Sequence, residues 1–290
     1  MNLRLLVILE LAAASLTGCV AHCPDTDASQ ETFAARWGRF QSWQPPHAQG
    51  RTVRYITGSI DKPPVIVLHE FPALSANCLA FAEKLSRQGF TVYVPVLFGN
   101  TQGVSNAGAG LATIVELSAS TEWKVTFSEH KHSAITDWLR LLCRDVSERH
   151  QQKKIGVIGM CLTGSFPVAL MSEPCVAAPV VAQPSTPIFA FTPEARKSLG
   201  ISEEELAAAR RRGIDVFGIR YDLDRVSRKE NFKTLHDNLG DHFIDHSIRP
   251  AAYKEHNLKR NSHATFTHCV ETPPAREAFK ELVSFLQDRL

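Results

Sequence analysis

The stretch Ile155-Gly156-Val157-Ile158-Gly159-Met160-Cys161-Leu162-Thr163-Gly164 constrains this chain more than any other part of it. Its first residues form a short, β-branched run introduced by Lys153-Lys154, which reads as a buried strand. Behind the turn, Ser165-Phe166-Pro167-Val168-Ala169-Leu170-Met171 can start a helix, with the proline tolerated in the first turn. A reactive side chain held on such a strand–turn–helix junction has a strained backbone. Strand and helix also pass close together there, so its neighbours must be small. The plainer alternative is a buried cysteine at a strand end.

The pattern resembles the nucleophile elbow of α/β-hydrolases, with cysteine where serine is usual. The usual pattern has glycine two residues past the nucleophile; here Thr163 stands there and Gly164 follows. Three further segments complete a site. Pro63-Pro64-Val65-Ile66-Val67-Leu68 reads as a strand ending in His69-Glu70-Phe71-Pro72, and Leu74 to Gly89 as an amphipathic helix. Val216-Phe217-Gly218-Ile219-Arg220 reads as a strand followed by Asp222-Leu223-Asp224-Arg225. His263 lies in the polar loop Asn261-Ser262-His263 before a C-terminal helix. The order Cys, Asp, His is that of an α/β-hydrolase triad. An oxyanion hole in this fold needs two backbone N–H groups, which predicts Leu162 and Phe71.

With these residues in place, residues 50 to 290 resemble the dienelactone hydrolase family. The likeness rests on His69-Glu70-Phe71, Val94-Pro95-Val96-Leu97-Phe98, Gly159-Met160-Cys161-Leu162, the loop around Asp224, and Ser262-His263. The resemblance implies a Cys161-Asp224-His263 triad, with Glu70 holding the resting thiol and swinging away when substrate binds. Asp222 is the alternative acid. The family's acid precedes a helix containing Glu-x-Phe, and Glu230-Asn231-Phe232 is in register with Asp224. The founding lactonases place an arginine four residues past the histidine, where it can meet a substrate carboxylate. This chain has Thr267 there, leaving Arg220, Arg225 or Arg260 as substitutes.

A free thiol, with a pKa of about 8.5, needs a base to attack well at neutral pH. His263 can take that proton and return it to the leaving alkoxide, while Asp224 fixes the imidazole. The expected activity is cleavage of a lactone or small carboxylic ester through an acyl-thioester on Cys161, without a cofactor or metal. His130 and His132 are the pair to weigh as metal ligands, but no third ligand stands at a recognisable spacing. Glu70 as a mere helix cap, His263 as a solvated loop histidine and His69 as a structural residue are the plainer readings. The rival functions are a non-catalytic envelope protein of the same fold and a redox-responsive cysteine protein.

At 290 residues and 44% hydrophobic content the chain can build one sizeable α/β domain. A net charge of +2, with no basic stripe interleaved with aromatics, argues against nucleic-acid binding. Residues 1–19 read as a secretory signal, and Leu16-Thr17-Gly18-Cys19 resembles a lipoprotein box. That predicts export, with membrane anchoring through a lipidated Cys19; a mis-assigned start would leave a cytoplasmic protein. Residues 20–50 read as linker and lead-in, and 51–290 as the hydrolase domain. Seven cysteines leave the pairing unreadable, with Cys78 and Cys143 expected as core thiols. Strands at 53–55, 65–68, 91–94, 155–158, 179–182, 216–220 and 243–247 alternate with helical patterns. They predict an α/β-hydrolase fold, a mainly parallel central sheet with helices on both faces. Residues 99–128 read as an insert, loop-like in its first half, and 185–213 as a second lid candidate.

Overall fold

The computed structural model describes residues 31–99, 107–123, 133–185, 192–258 and 262–290. The segment read as a signal, Cys19, Cys23, Gly103, His130, His132, Arg260 and Asn261 lie outside these residues, as do parts of the 99–128 insert and of the 185–213 lid candidate. No helix among the described residues is long and apolar enough to cross a membrane.

The described strands are β1 (Gln41–Trp43), β2 (Val53–Ile56), β3 (Pro64–Leu68), β4 (Thr91–Pro95), β5 (Ile155–Met160), β6 (Val176–Ala182), β7 (Val216–Ile219) and β8 (Phe243–Asp245). They form one sheet in the order β1-β2-β4-β3-β5-β6-β7-β8. β1 and β2 are antiparallel to their neighbours, and every pairing from β4 to β8 is parallel. The helices are α1 (Phe33–Trp37), α2 (Ala76–Arg87), α3 (Ala107–Ala119), α4 (Ala134–Arg149), α5 (Phe166–Ala169), α6 (Pro193–Lys197), α7 (Glu203–Arg212), α8 (Lys229–Leu239), α9 (Pro250–Glu255) and α10 (Pro273–Gln287).

β3 shows why the central strands are apolar throughout. Val65 and Val67 pack on one face with residues of α2 and α10, including Leu79, Leu85 and Leu282. Ile66 and Leu68 pack on the other with Leu139, Leu142 and Val146 of α4. Successive strand residues point to opposite faces, and helices cover both, so alternation with polar residues disappears. At Gly156 a Cβ would come within 3.0 Å of the Leu286 side chain, so this glycine lets α10 lie close on the sheet.

The lead-in carries more structure than its polar composition suggested. α1 and β1 fall inside residues 20–50, and β1 pairs with β2 as an edge strand. Phe40 between them is buried in the core, and Arg36 meets the buried Glu83 of α2 at 2.5 Å. Gly108 and Gly110, expected in a loop, lie within α3. α7 opens with a Ser202 capping box and ends at Gly213, which is left-handed. Within the 185–213 lid candidate this helix packs on the core, with Leu206 and Ala209 buried against α5 and α8 residues such as Val168 and Leu235.

The parallel strands put the functional residues together. β3 and β5 are neighbours, with Leu68 opposite Gly159. β6 lies beside β5, and β7 beside β6. Each ends at the same sheet edge, so the loops carrying Glu70, Cys161, Gln183 and Asp224 emerge side by side. In open parallel sheets this carboxyl edge is where ligands bind.

Candidate active site

Cys161 follows β5 in a left-handed backbone conformation, φ +53°, which costs a non-glycine residue energy. The tightness of the turn explains its glycines. A Cβ at Gly159 would fall 2.2 Å from the Thr163 carbonyl oxygen and 2.6 Å from Pro167 Cδ. One at Gly164 would fall 2.6 Å from Pro184 Cα. Thr163, which departs from the usual pattern, has its own task. Its Oγ1 accepts the Met160 N–H at 3.1 Å and lies 3.1 Å from the Leu68 carbonyl oxygen, joining the ends of β5 and β3.

His263 comes to Cys161 from the loop before α10. Its Nδ1 sits 2.5 Å from Asp224 Oδ2, and both residues are buried. The other Asp224 oxygen accepts the Val226 and Ser227 N–H groups at 2.8 and 3.1 Å. Burial opposes a charge on His263. The attraction and hydrogen bond of Asp224, helped by Cys161, outweigh it and raise the imidazole well above its ordinary pKa.

Asp222, the alternative acid, faces elsewhere: it pairs with Arg220 at 3.2 Å and Arg249 at 3.5 Å. Arg220 is buried and spent on this loop, donating also to the carbonyls of Ser227 and Asp222 at 3.2 and 3.0 Å. It is therefore a scaffold for the acid loop. Arg225 is exposed.

Glu70 is buried between neutral donors. Gln183 Nε2 donates to Oε1 at 2.9 Å, and Thr267 Oγ1 donates to Oε2 at 2.7 Å. Burial and then the proximity of Cys161 push its carboxyl up to about 7, against the pull of those donors and of His263. Its neighbour His69 is structural. Nε2 accepts the Leu97 N–H at 3.0 Å, so Nδ1 carries the proton and donates to the Glu70 carbonyl at 3.0 Å. Burial holds this neutral ring down at about 4.

Phe71 follows Glu70 in the loop after β3, and Leu162 follows Cys161 in the short turn Cys161–Thr163. Sequence reasoning missed two residues of the site. Gln183 and Ser185 lie just past β6, and Ser185 Oγ is 3.2 Å from Cys161 Sγ. The signal for them was their place at the end of a strand running parallel to β5.

Cys78 and Cys143 are buried free thiols, as expected, and burial raises both well above the ordinary thiol value. Cys269, near His263 in sequence, is disulfide-bonded. One group of metal-ligating type is present among the described residues, made of His47, Asp145 and Glu148. The Asp145 carboxylate there already accepts the His47 and Ala48 N–H groups at 2.9 and 2.8 Å and contacts His47 Nδ1 at 2.5 Å. Its evident work is to anchor the loop before β2.

No curated protein sequence matches the chain. Solved structures share its fold at low identity. A dienelactone hydrolase from Anabaena variabilis is 13% identical, with a TM-score of 0.56 over 87% of this chain and 99% of that one. An esterase from Exiguobacterium antarcticum is 12% identical, with a TM-score of 0.51 over 85% and 99%. A dienelactone hydrolase-like promiscuous phosphotriesterase from metagenomic libraries is 13% identical, with a TM-score of 0.53 over 87% and 97%. The sequence profile of the dienelactone hydrolase family matches residues 52–288, nearly all of the described fold. The chain is a hydrolase of the dienelactone hydrolase family.

Proposed function

We propose that this protein hydrolyses a lactone or a small, uncharged carboxylic ester through an acyl-thioester on Cys161. The observation that carries the reading is the convergence of Cys161, on its left-handed turn, with the buried His263–Asp224 pair.

His263 Nε2 takes the thiol proton, and the thiolate forms a bond to the substrate carbonyl carbon. Negative charge moves to the carbonyl oxygen, where the N–H groups of Leu162 and Phe71 stabilise it, each such donor being worth ~3–4 kcal/mol. The intermediate collapses, the carbon–oxygen bond breaks, and the leaving alkoxide takes the proton from His263. Water, deprotonated by His263, then cleaves the thioester and restores the thiol. Asp224 holds the imidazole in the tautomer this needs and stabilises its charge.

Glu70 disfavours a standing thiolate. Cys161 raises the Glu70 pKa by repulsion, and the same repulsion acts in reverse on the sulfur. The preference for an uncharged acyl group follows from Thr267, a neutral donor already turned to Glu70, and from Arg220, committed to the acid loop.

The test is hydrolysis of p-nitrophenyl acetate and an unsaturated γ-lactone by wild type, Cys161→Ala and His263→Ala. Turnover in wild type that falls at least a thousandfold in both variants is expected. Full activity in Cys161→Ala would refute the mechanism.

A further inference from the structure

Among the described residues, Ser185 brings a hydroxyl to the reacting sulfur besides the triad. Ser185 Oγ lies 3.2 Å from Cys161 Sγ, and Ser185 is buried. Its backbone N–H donates to the carbonyl of Cys161 itself at 3.0 Å. Pro184 packs against Gly164, and Gln183 donates to Glu70. The segment running off the end of β6 is thus fastened to the elbow by its backbone and by its neighbours. Nothing in that fastening needs the Ser185 hydroxyl, which is left for the sulfur.

A serine hydroxyl turns about its Cβ–Oγ bond and can accept or donate. Toward a thiol it can accept the S–H; toward a thiolate it can donate. We propose that Ser185 is a further catalytic residue, whose hydroxyl donates to the Cys161 thiolate and enlarges the fraction of sulfur ready to attack. The inference rests on Cys161 being the nucleophile. The proton leaves Sγ for His263 Nε2, Ser185 keeps its own, and no bond at Ser185 is made or broken.

Two consequences oppose each other. A donor to an ionised sulfur that increases the thiolate population about tenfold contributes ~1.4 kcal/mol, at the lower end of hydrogen bonds to charged groups. The same donor makes each thiolate less nucleophilic. With a Brønsted slope of about 0.4–0.5, that loss is about threefold. Removing the hydroxyl should therefore slow alkylation about threefold at low pH, where thiolate is scarce. At high pH, where the sulfur is fully ionised, it should quicken alkylation about threefold. The two pH–rate profiles cross.

The experiment is alkylation of the full chain by iodoacetamide between pH 5.5 and 9.5, with modification of Cys161 followed by peptide mass. Wild type, Ser185→Ala and Ser185→Thr are compared. Crossing profiles for Ser185→Ala, with Ser185→Thr following wild type, are expected. A Ser185→Ala profile that overlies wild type, or runs below it at every pH, overturns the proposal. If Ser185→Ala does not fold, Ser185→Gly supplies the comparison, since the backbone bond to Cys161 remains. Should Cys161 react no faster than Cys78, Cys143 and Cys175 in wild type, the assignment of the nucleophile fails first and takes Ser185 with it.

Discussion

Replacing Glu70 with glutamine should stabilise the protein in a pH-dependent way, and the structure gives the size. The Glu70 carboxyl ionises at about 7 in the folded chain, against an ordinary value of 4.5. Its pKa is raised on folding, so the native state keeps the proton that the unfolded chain loses from pH 4.5 upward. Stability therefore falls as pH rises between 4.5 and about 7 and levels off above. The gap amounts to roughly 3 kcal/mol at pH 8, and the residue is fully buried, so solvent does not screen it. Glutamine fits the same partners. Its oxygen can accept from Gln183, and its amide can donate to the Thr267 hydroxyl, which accepts as readily as it donates. The variant has no charge to bury. Urea denaturation of wild type and Glu70→Gln at pH 5, 6, 7 and 8 checks this. The stability difference should be small at pH 5 and grow by about 1.4 kcal/mol per pH unit toward 7. His263, whose raised pKa also makes stability fall with pH, is present in both proteins, and its attraction to an ionised Glu70 is already contained in the Glu70 value. A difference that stays flat from pH 5 to 8 would show that Glu70 is not held near neutrality by its burial.

Asp224→Asn should lower kcat/KM by about 10⁴, as loss of the correct tautomer does in comparable triads. The N–H groups of Val226 and Ser227 would hold the new amide oxygen, so the NH₂ must face His263 Nδ1 and push its proton to Nε2, the atom that has to accept one. Asp222→Asn should change kcat/KM less than about threefold, since its partners are Arg220 and Arg249; steady-state ester hydrolysis separates the two. Thr163→Val should keep the volume but remove the hydroxyl that holds the buried Met160 N–H, costing about 2 kcal/mol of unfolding free energy as read by urea denaturation.

The proposed triad was legible because its chemistry demands particular residue types at the ends of strands, and strand ends show in the sequence as apolar runs stopping short. The choice between Asp224 and Asp222 rested on a helix register two residues wide; Arg220 stands only two residues before Asp222, but Arg249, which also claims it, follows β8 and leaves no local trace. The same reason hid Ser185 and Gln183. Neither belongs to a motif, and their place at a strand end tells only once the parallel pairing of β5 with β6 brings them to Cys161 and Glu70. α1 and β1 were missed for a physical reason: both are short, and the lead-in is bound in part by ion pairs of Arg36 in α1 and Arg39 just past it to Glu83 instead of by a continuous apolar stripe. At Gly108 and Gly110 local propensity misled, because the apolar neighbours in Ala107–Ala119 outweigh the entropic cost of two glycines.

The Thr163 hydroxyl also bears on how this site can be altered. By bonding Met160 and lying against the end of β3, it makes the Cys161 turn and the loop of Glu70 and Phe71 one mechanical piece. Groups that share such a joint do not respond independently, and paired substitutions on its two sides should depart from additivity. Transplanting the cysteine turn alone onto a related scaffold would bring a threonine whose partner carbonyls are elsewhere. The unit that can be exchanged is the strand pair β3–β5 with both of its loops.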